Sequence, residues 1–305
     1  MNIVFFGSGS FADPLLKELD RASMVTAIVV TKPKPAGRGR KPSEPGILHW
    51  ARERNLTVFM PEQPNDENFI KQLKELKPDM FVLASYGHIL SRRLLDVARI
   101  GGLNVHPSLL PQYRGAAPIQ RALMDGASMT GVTIIMMDEK IDHGKIVFQK
   151  VIDIAVDDNY GSLLKKLCGL AVAHLIETVE NVGKGTYVPI VQDESRKSLA
   201  PKIRKNEKII DWQQDRERIC NLVRALSPRP GAKTMFRDKV LTILDATPTE
   251  DVVSPGRIHL EQHILCVGTG SGSVVLQQVR PHSKRVMTAR DFINGFHPRE
   301  GEKIG

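Results

Sequence analysis

Asn104 and His106 stand two residues apart at the end of an apolar run, GLNVH, and the proline-flanked turn PSLLPQYRGAAP follows them. Side chains on a strand alternate between its faces, so the two point to the same side. A neutral imidazole, with a reference pKa of about 6.5, accepts a proton near neutral pH. A primary amide donates a hydrogen bond to a developing oxyanion. The pair suits acyl transfer without a covalent enzyme intermediate. No G-x-S-x-G segment occurs in the chain, which argues against a serine hydrolase of that type. Downstream, GVTIIMMDEKIDHG carries Asp138, Glu139 and Asp142. An acid on such a loop orients the histidine, raises its basicity and holds a water for proton movement. Spacing alone leaves the choice among the three open.

Two other groupings invite chemistry. FFGSGSFA fits G-x-G-x-x-A through Gly7, Gly9 and Ala12, the weaker form of the dinucleotide fingerprint, between a strand and a helix. The second strand ends in Thr31-Lys32-Pro33 with no acid for a ribose hydroxyl, so a tight turn is the plainer reading and an NADP-dependent oxidoreductase the alternative. HLEQHILC places His259, Glu261 and His263 on one strand face ahead of Cys266 but matches neither H-E-x-x-H nor H-x-x-E-H. No metal is expected. Cys168, Cys220 and Cys266 lie far apart with no C-x-x-C, as buried apolar side chains do.

These residues need a scaffold to hold them. NIVFFG, TAIVV, MFVLASY, GLNVH and GVTIIMM read as strands, separated by stretches of helical spacing such as DENFIKQLKELK and SRRLLDVA. Alternation of this kind predicts a mostly parallel sheet covered on both faces, whose ligand crevice opens at the carboxyl ends of the strands. After a helix from Tyr160 to about Val182, QDESRKSLAPKIRKNEK is polar and basic, as a linker is. Short strands then follow one helix, RERICNLVRAL, which predicts a small β-barrel or sandwich. The boundaries read as 1–190, a linker at 191–207, and 208–305.

In composition the 305-residue chain is that of an ordinary globular protein, 41% hydrophobic and 25% charged, with no apolar run long enough for a bilayer span. MNIVFFGSGS has no cationic n-region or long apolar h-region, so a cytoplasmic location is expected, with no membrane partner. The net charge of +9 favours an anionic partner. Part of that charge sits in TKPKPAGRGRKPSEP, where Lys32, Lys34, Arg38, Arg40 and Lys41 crowd a loop without aromatics. Such a loop is either a solvated basic surface or a phosphate-binding segment. Lys202, Arg204, Lys205 and Lys208, with Arg280, Lys284 and Arg285, extend the basic character.

LNVHPSLLPQYRGAAPIQRAL and GVTIIMMDEKIDHG, with AGRGR, ASYGHIL, RALSPRPGA and DFINGFHPREGEKIG, closely resemble the folate-dependent formyltransferases, essentially from end to end. The resemblance implies a Rossmann-like α/β domain followed by an OB-like β-barrel domain. It implies an Asn104, His106 and Asp142 triad, which selects Asp142 among the acids. It places the folate co-substrate, 10-formyltetrahydrofolate, against Ser108, Leu109, Leu110 and Pro111, with Tyr86, Gly87, His88, Ile89 and Leu90 enclosing the pterin. It makes initiator methionyl-tRNA the acceptor, read by Arg38 with Lys34, Arg40 and Lys41 beside it. A monomer is expected. A formyltransferase of small amines, acting on a sugar nucleotide or glycinamide ribonucleotide, is the alternative within the family. Two positions depart from the family pattern: His143 stands where a small residue is usual, and Pro107 where glycine or alanine is common.

Overall fold

The structure is a computed structural model that describes residues 1–32 and 46–305. It divides into two compact units, Met1–Pro118 with Met129–Asp153 and Leu164–Pro201, and Ile119–Ser128 with Ile154–Leu163 and Lys202–Gly305.

The first unit is built on a seven-stranded sheet of β1 (Ile3–Phe6), β2 (Val25–Val29), β3 (Thr57–Phe59), β4 (Met80–Leu83), β5 (Gly101–His106), β6 (Met129–Met136) and β7 (Ile146–Asp153), in the order β3-β2-β1-β4-β5-β6-β7. The β3-β2-β1-β4-β5 pairs are parallel, and β6 and β7 join antiparallel. Continuous burial of IVFF and MFVL in β1 and β4 is what a parallel strand covered on both faces demands. α1 (Ala12–Arg21) turns Ala12, Leu15, Leu16 and Leu19, one face at helical spacing, into the core. The chain also forms α2 (Gly46–Glu53), α3 (Glu67–Glu75), α4 (Arg92–Leu95), α5 (Pro118–Met124) and the long α6 (Tyr160–Lys184). The Asp66 carboxylate caps α3 by accepting from the Asn68 and Phe69 amides. SRRLLDVA, with the spacing of a longer helix, forms only the single turn of α4 behind the Ser91 cap.

Gly7 follows β1 at φ +142°, and a Cβ there would lie 1.8 Å from the Ala84 carbonyl oxygen. The first glycine of the G-x-G-x-x-A run is thus demanded by the close approach of the chain that follows β4, without reference to any ligand.

In the second unit α7 (Arg216–Leu226) precedes β8 (Ala232–Phe236), β9 (Lys239–Thr249), β10 (Ile258–Glu261), β11 (Ile264–Gly268), β12 (Ser273–Pro281) and β13 (Met287–Thr288), and α8 (Ala289–Phe296) follows. The pairs between these strands are antiparallel, in the order β10-β11-β12-β9-β8 with β13 on β12. Two hairpins turn through paired left-handed residues, Arg237 with Asp238 and Gln262 with His263, as two-residue loops require to match strand twist. The apolar interior includes Trp212, Phe236, Leu241, Ile243, Val267, Val279 and Phe292. The Trp212 indole N–H donates to Thr234 Oγ1 at 3.0 Å. Among the described residues, no helix is long and apolar enough to cross a membrane.

Candidate active site

β5 ends in Asn104 and His106, paired to Ile135 and Thr133 of β6, so the strand's last residues lie where the sheet changes from parallel to antiparallel. Asp142 comes from the loop between β6 and β7. Its backbone is left-handed, φ +48°, a conformation that aspartate tolerates better than most residues. That loop closes tightly, because a Cβ on Gly144 would stand 1.7 Å from the Met136 carbonyl oxygen.

The three side chains meet. Asn104 Nδ2 donates to Asp142 Oδ1 at 2.9 Å, and His106 Nδ1 stands 3.5 Å from Asp142 Oδ2. Asp142 Oδ2 also accepts from the Gly115 amide at 2.8 Å. His106 Nε2 lies 2.9 Å from the Tyr113 carbonyl oxygen. A carbonyl only accepts, so the Nε2 hydrogen is directed there and the Nδ1 lone pair is left beside the carboxylate. With side chains 5% and 11% exposed, His106 and Asp142 interact through protein more than through water.

Among the described residues, Asp138 and Glu139, the other acids of the loop, make no hydrogen bond or ion pair with this cluster. Asp138 Oδ2 instead contacts His143 Nδ1 at 2.5 Å, and His143 Nε2 faces Glu194 at 3.7 Å. The histidine that departs from the family pattern therefore bridges two acids beside the Asp142 loop.

Ser108 is fully buried and its hydroxyl donates to the Gln112 carbonyl at 2.6 Å. Thr133 Oγ1 organises residues 108–111: it donates to the Ser108 carbonyl at 2.6 Å and accepts from the Leu110 amide at 3.1 Å. Gln149 Nε2 donates to that same oxygen and to the Leu110 carbonyl, both at 2.9 Å. Leu110 packs with Ile135 and Ile146. Pro111 closes the loop, its carbonyl accepting from the Ser198 amide at 3.3 Å.

Residues 86–90 follow β4. Tyr86 is buried edge-on against Phe6, with ring centroids 5.3 Å apart, and tilted against His88 at 5.2 Å. Burial pushes its phenol up to about 12, so it stays neutral. Gly87 takes φ +78°, Leu90 is buried and Ile89 is exposed. Asn65 holds the segment from both sides, donating to the Ile89 carbonyl at 2.9 Å and accepting from the Ser91 amide at 2.8 Å. Lys34, Arg38, Arg40 and Lys41 lie outside the described residues.

Arg114, Gln192, Thr133, Gln149 and Asn65 escaped the sequence reading. Arg114 sits within RGAAP, yet a lone arginine in a basic chain carries no sign that its side chain is only 3% exposed. Gln192 lies in a polar stretch that reads as linker. His259 is paired with Glu300 at 2.9 Å, and His263 is a turn residue.

The sequence pattern of the family described as formyl transferase matches residues 1–179, and that of the formyl transferase C-terminal domain matches residues 202–297. The chain is 37% identical over 311 residues to the methionyl-tRNA formyltransferase of Dictyoglomus thermophilum, covering 100% of each. Among solved structures it is similar to the N-formyltransferase of Helicobacter canadensis in complex with folinic acid and dTDP-3-aminofucose, with a TM-score of 0.68, 18% identity, and 90% of this chain and 98% of that one covered. It is also similar to HypX of Aquifex aeolicus in complex with tetrahydrofolic acid, with a TM-score of 0.64, 20% identity and 96% of this chain covered. The chain spans 47% of HypX. At these identities the two structures speak to the fold alone.

Proposed function

The chain belongs to the formyl transferase family, and from that premise we propose that it moves a formyl group from 10-formyltetrahydrofolate to the α-amino nitrogen of methionine esterified to initiator tRNA. The observation that carries the reading is the full-length likeness to a methionyl-tRNA formyltransferase in a chain where Asn104, His106 and Asp142 touch.

The amine attacks in its neutral form, and a reference pKa of roughly 7.7 to 8 leaves a usable fraction at physiological pH. Attack forms a nitrogen–carbon bond and puts negative charge on the formyl oxygen. One hydrogen of the Asn104 amide is committed to Asp142; the other is the donor for that oxyanion. His106, through Nδ1, takes the proton that the amine sheds, and Asp142 beside it stabilises the imidazolium. The bond from carbon to the folate nitrogen then breaks. That nitrogen leaves poorly as an anion, so it receives a proton from His106 by way of water held at Asp142. The products are tetrahydrofolate and formylmethionyl-tRNA, with no covalent enzyme intermediate.

Residues 108–111 and 86–90 form the folate-contacting rim in this reading, and Arg38 with Lys34, Arg40 and Lys41 meets the tRNA. The catalytic part is 1–190, joined through 191–207 to an OB-like tRNA-binding part at 208–305. The enzyme acts in the cytoplasm as a monomer and needs no metal.

A transfer assay tests the substrate. With 10-formyltetrahydrofolate as donor, initiator methionyl-tRNA is expected to be formylated while a sugar-nucleotide amine and glycinamide ribonucleotide are not. Preference for either small amine would overturn the tRNA assignment.

A further inference from the structure

Residues 190–200, polar enough to read as a linker, bind the two loops that shape the site. Ile190 exchanges both backbone hydrogen bonds with Ile146, each at 2.8 Å, next to the loop that carries Asp142. At the other end Ser198 Oγ accepts from the Tyr113 amide at 2.8 Å and the Ser198 carbonyl from the Arg114 amide at 3.0 Å. The Ala200 amide donates to the Arg114 carbonyl at 2.7 Å. The strap thus runs from the loop holding the carboxylate to the loop whose Tyr113 carbonyl and Gly115 amide fix His106 and Asp142.

Gln192 sits between these ends, buried. Its Nε2 donates to the carbonyl oxygens of Asp142 at 2.9 Å and Gly144 at 2.7 Å. Its Oε1 accepts from Arg114 Nε at 3.1 Å and Nη2 at 2.7 Å. Only one orientation of the amide satisfies both sets, since a flip would set its N–H groups against a guanidinium and its oxygen against two carbonyls. The guanidinium is held in turn by Glu194, at 2.6 Å and 3.3 Å. That contact holds the Glu194 carboxyl below the usual range. Four hydrogen bonds fix one amide, and the amide grips the backbone of the residue at the centre of the site.

We infer that Gln192, locked by the buried guanidinium of Arg114, is a positioning residue that holds Asp142 in its left-handed turn against Asn104 and His106. The inference rests on the catalytic reading of Asp142. Gln192 touches neither folate nor acceptor in this account; it sets where the carboxylate stands.

Gln192→Glu tests it, because a carboxylate keeps Arg114 paired while removing both donors to the loop; Gln192→Leu, which also takes the acceptor from Arg114, is the second variant. Gln192→Glu is expected to lower kcat about tenfold to a hundredfold, since a displacement of roughly 1 Å costs on that scale, and to leave KM for 10-formyltetrahydrofolate unchanged. Combined with Asp142→Asn, it is expected to be no slower than Asp142→Asn alone, because both act through one carboxylate. Unchanged kcat in both Gln192 variants, or losses that multiply in the double variant, would overturn the inference. Asp142→Asn alone separates the two claims. A slow Asp142→Asn with fast Gln192 variants overturns the inference and spares the catalytic reading, whereas a fast Asp142→Asn overturns that reading and the inference with it.

Discussion

At the scale of single residues, the site combines groups whose usefulness depends on what is already committed. Asn104 gives one N–H to Asp142, and His106 gives its Nε2 hydrogen to Tyr113. Each group thus has one position fixed by a protein partner, and the proposed mechanism uses the other. In the proposed mechanism Asn104 is the oxyanion donor; on that proposal Asn104→Ala is expected to lower kcat about a hundredfold to a thousandfold with folate affinity retained. Steady-state kinetics beside a folate titration checks both halves; a loss confined to folate affinity would place Asn104 outside the chemistry. The Asn104 and His106 pair was legible because an N-x-H at a strand end has a definite geometry. Asp142 was not separable from Asp138 and Glu139 by spacing, since all three are acids on one loop. What distinguishes them is a left-handed turn and a 2.9 Å contact across 38 residues, neither of which is a sequence property.

At the scale of elements, the strands were readable from their apolar runs, and GLNVH and GVTIIMM stand at β5 and β6. Their relative direction was not, because antiparallel addition of β6 leaves the same hydrophobic pattern as a parallel crossover. The G-x-G-x-x-A run matches a nucleotide fingerprint but reads more plainly as a tight turn, and Gly7 does answer to packing. Gly7→Ala drives a Cβ into the Ala84 carbonyl and into a left-handed φ, and is expected to cost at least about 3 kcal/mol in denaturant unfolding. A variant as stable as the parent would show that the close approach is absent. The strap at 190–200 was invisible, since its bonds are mostly to backbone and its side chains are those of any polar connector. In the second unit, β10 carries His259, which Glu300 raises above the ordinary 6.5, while the histidine draws Glu300 below its ordinary 4.5. The histidine's contribution is fully present below 6.5 and lost as pH rises through the raised folded value; the glutamate's is present above 4.5 and lost as pH falls through the lowered one. The pair therefore supports the fold best between 4.5 and 6.5. In an NMR titration, Glu300→Gln is expected to bring the His259 midpoint down toward 6.5, and an unmoved midpoint would contradict the pairing.

At the scale of the whole molecule, the +9 charge indicated an anionic partner without naming one. The proposed partner, initiator methionyl-tRNA, comes from likeness along the full length, which no single motif supplies. The basic loop bearing Arg38 is the sequence's strongest claim on RNA. If Arg38 meets a phosphate, Arg38→Ala is expected to lower the magnitude of the log-log salt slope for tRNA affinity by about one and to leave folate affinity unchanged. Equal losses for tRNA and folate would contradict a role at the RNA. The central claim, that two side chains of β5 and one from the loop between β6 and β7 act together on one formyl carbon, is tested most directly by single-turnover formyl transfer to initiator methionyl-tRNA by Asp142→Asn at saturating 10-formyltetrahydrofolate. The expected transfer rate is far below the parent's with both substrates still bound; transfer at the parent's rate would contradict a joint role for the three side chains.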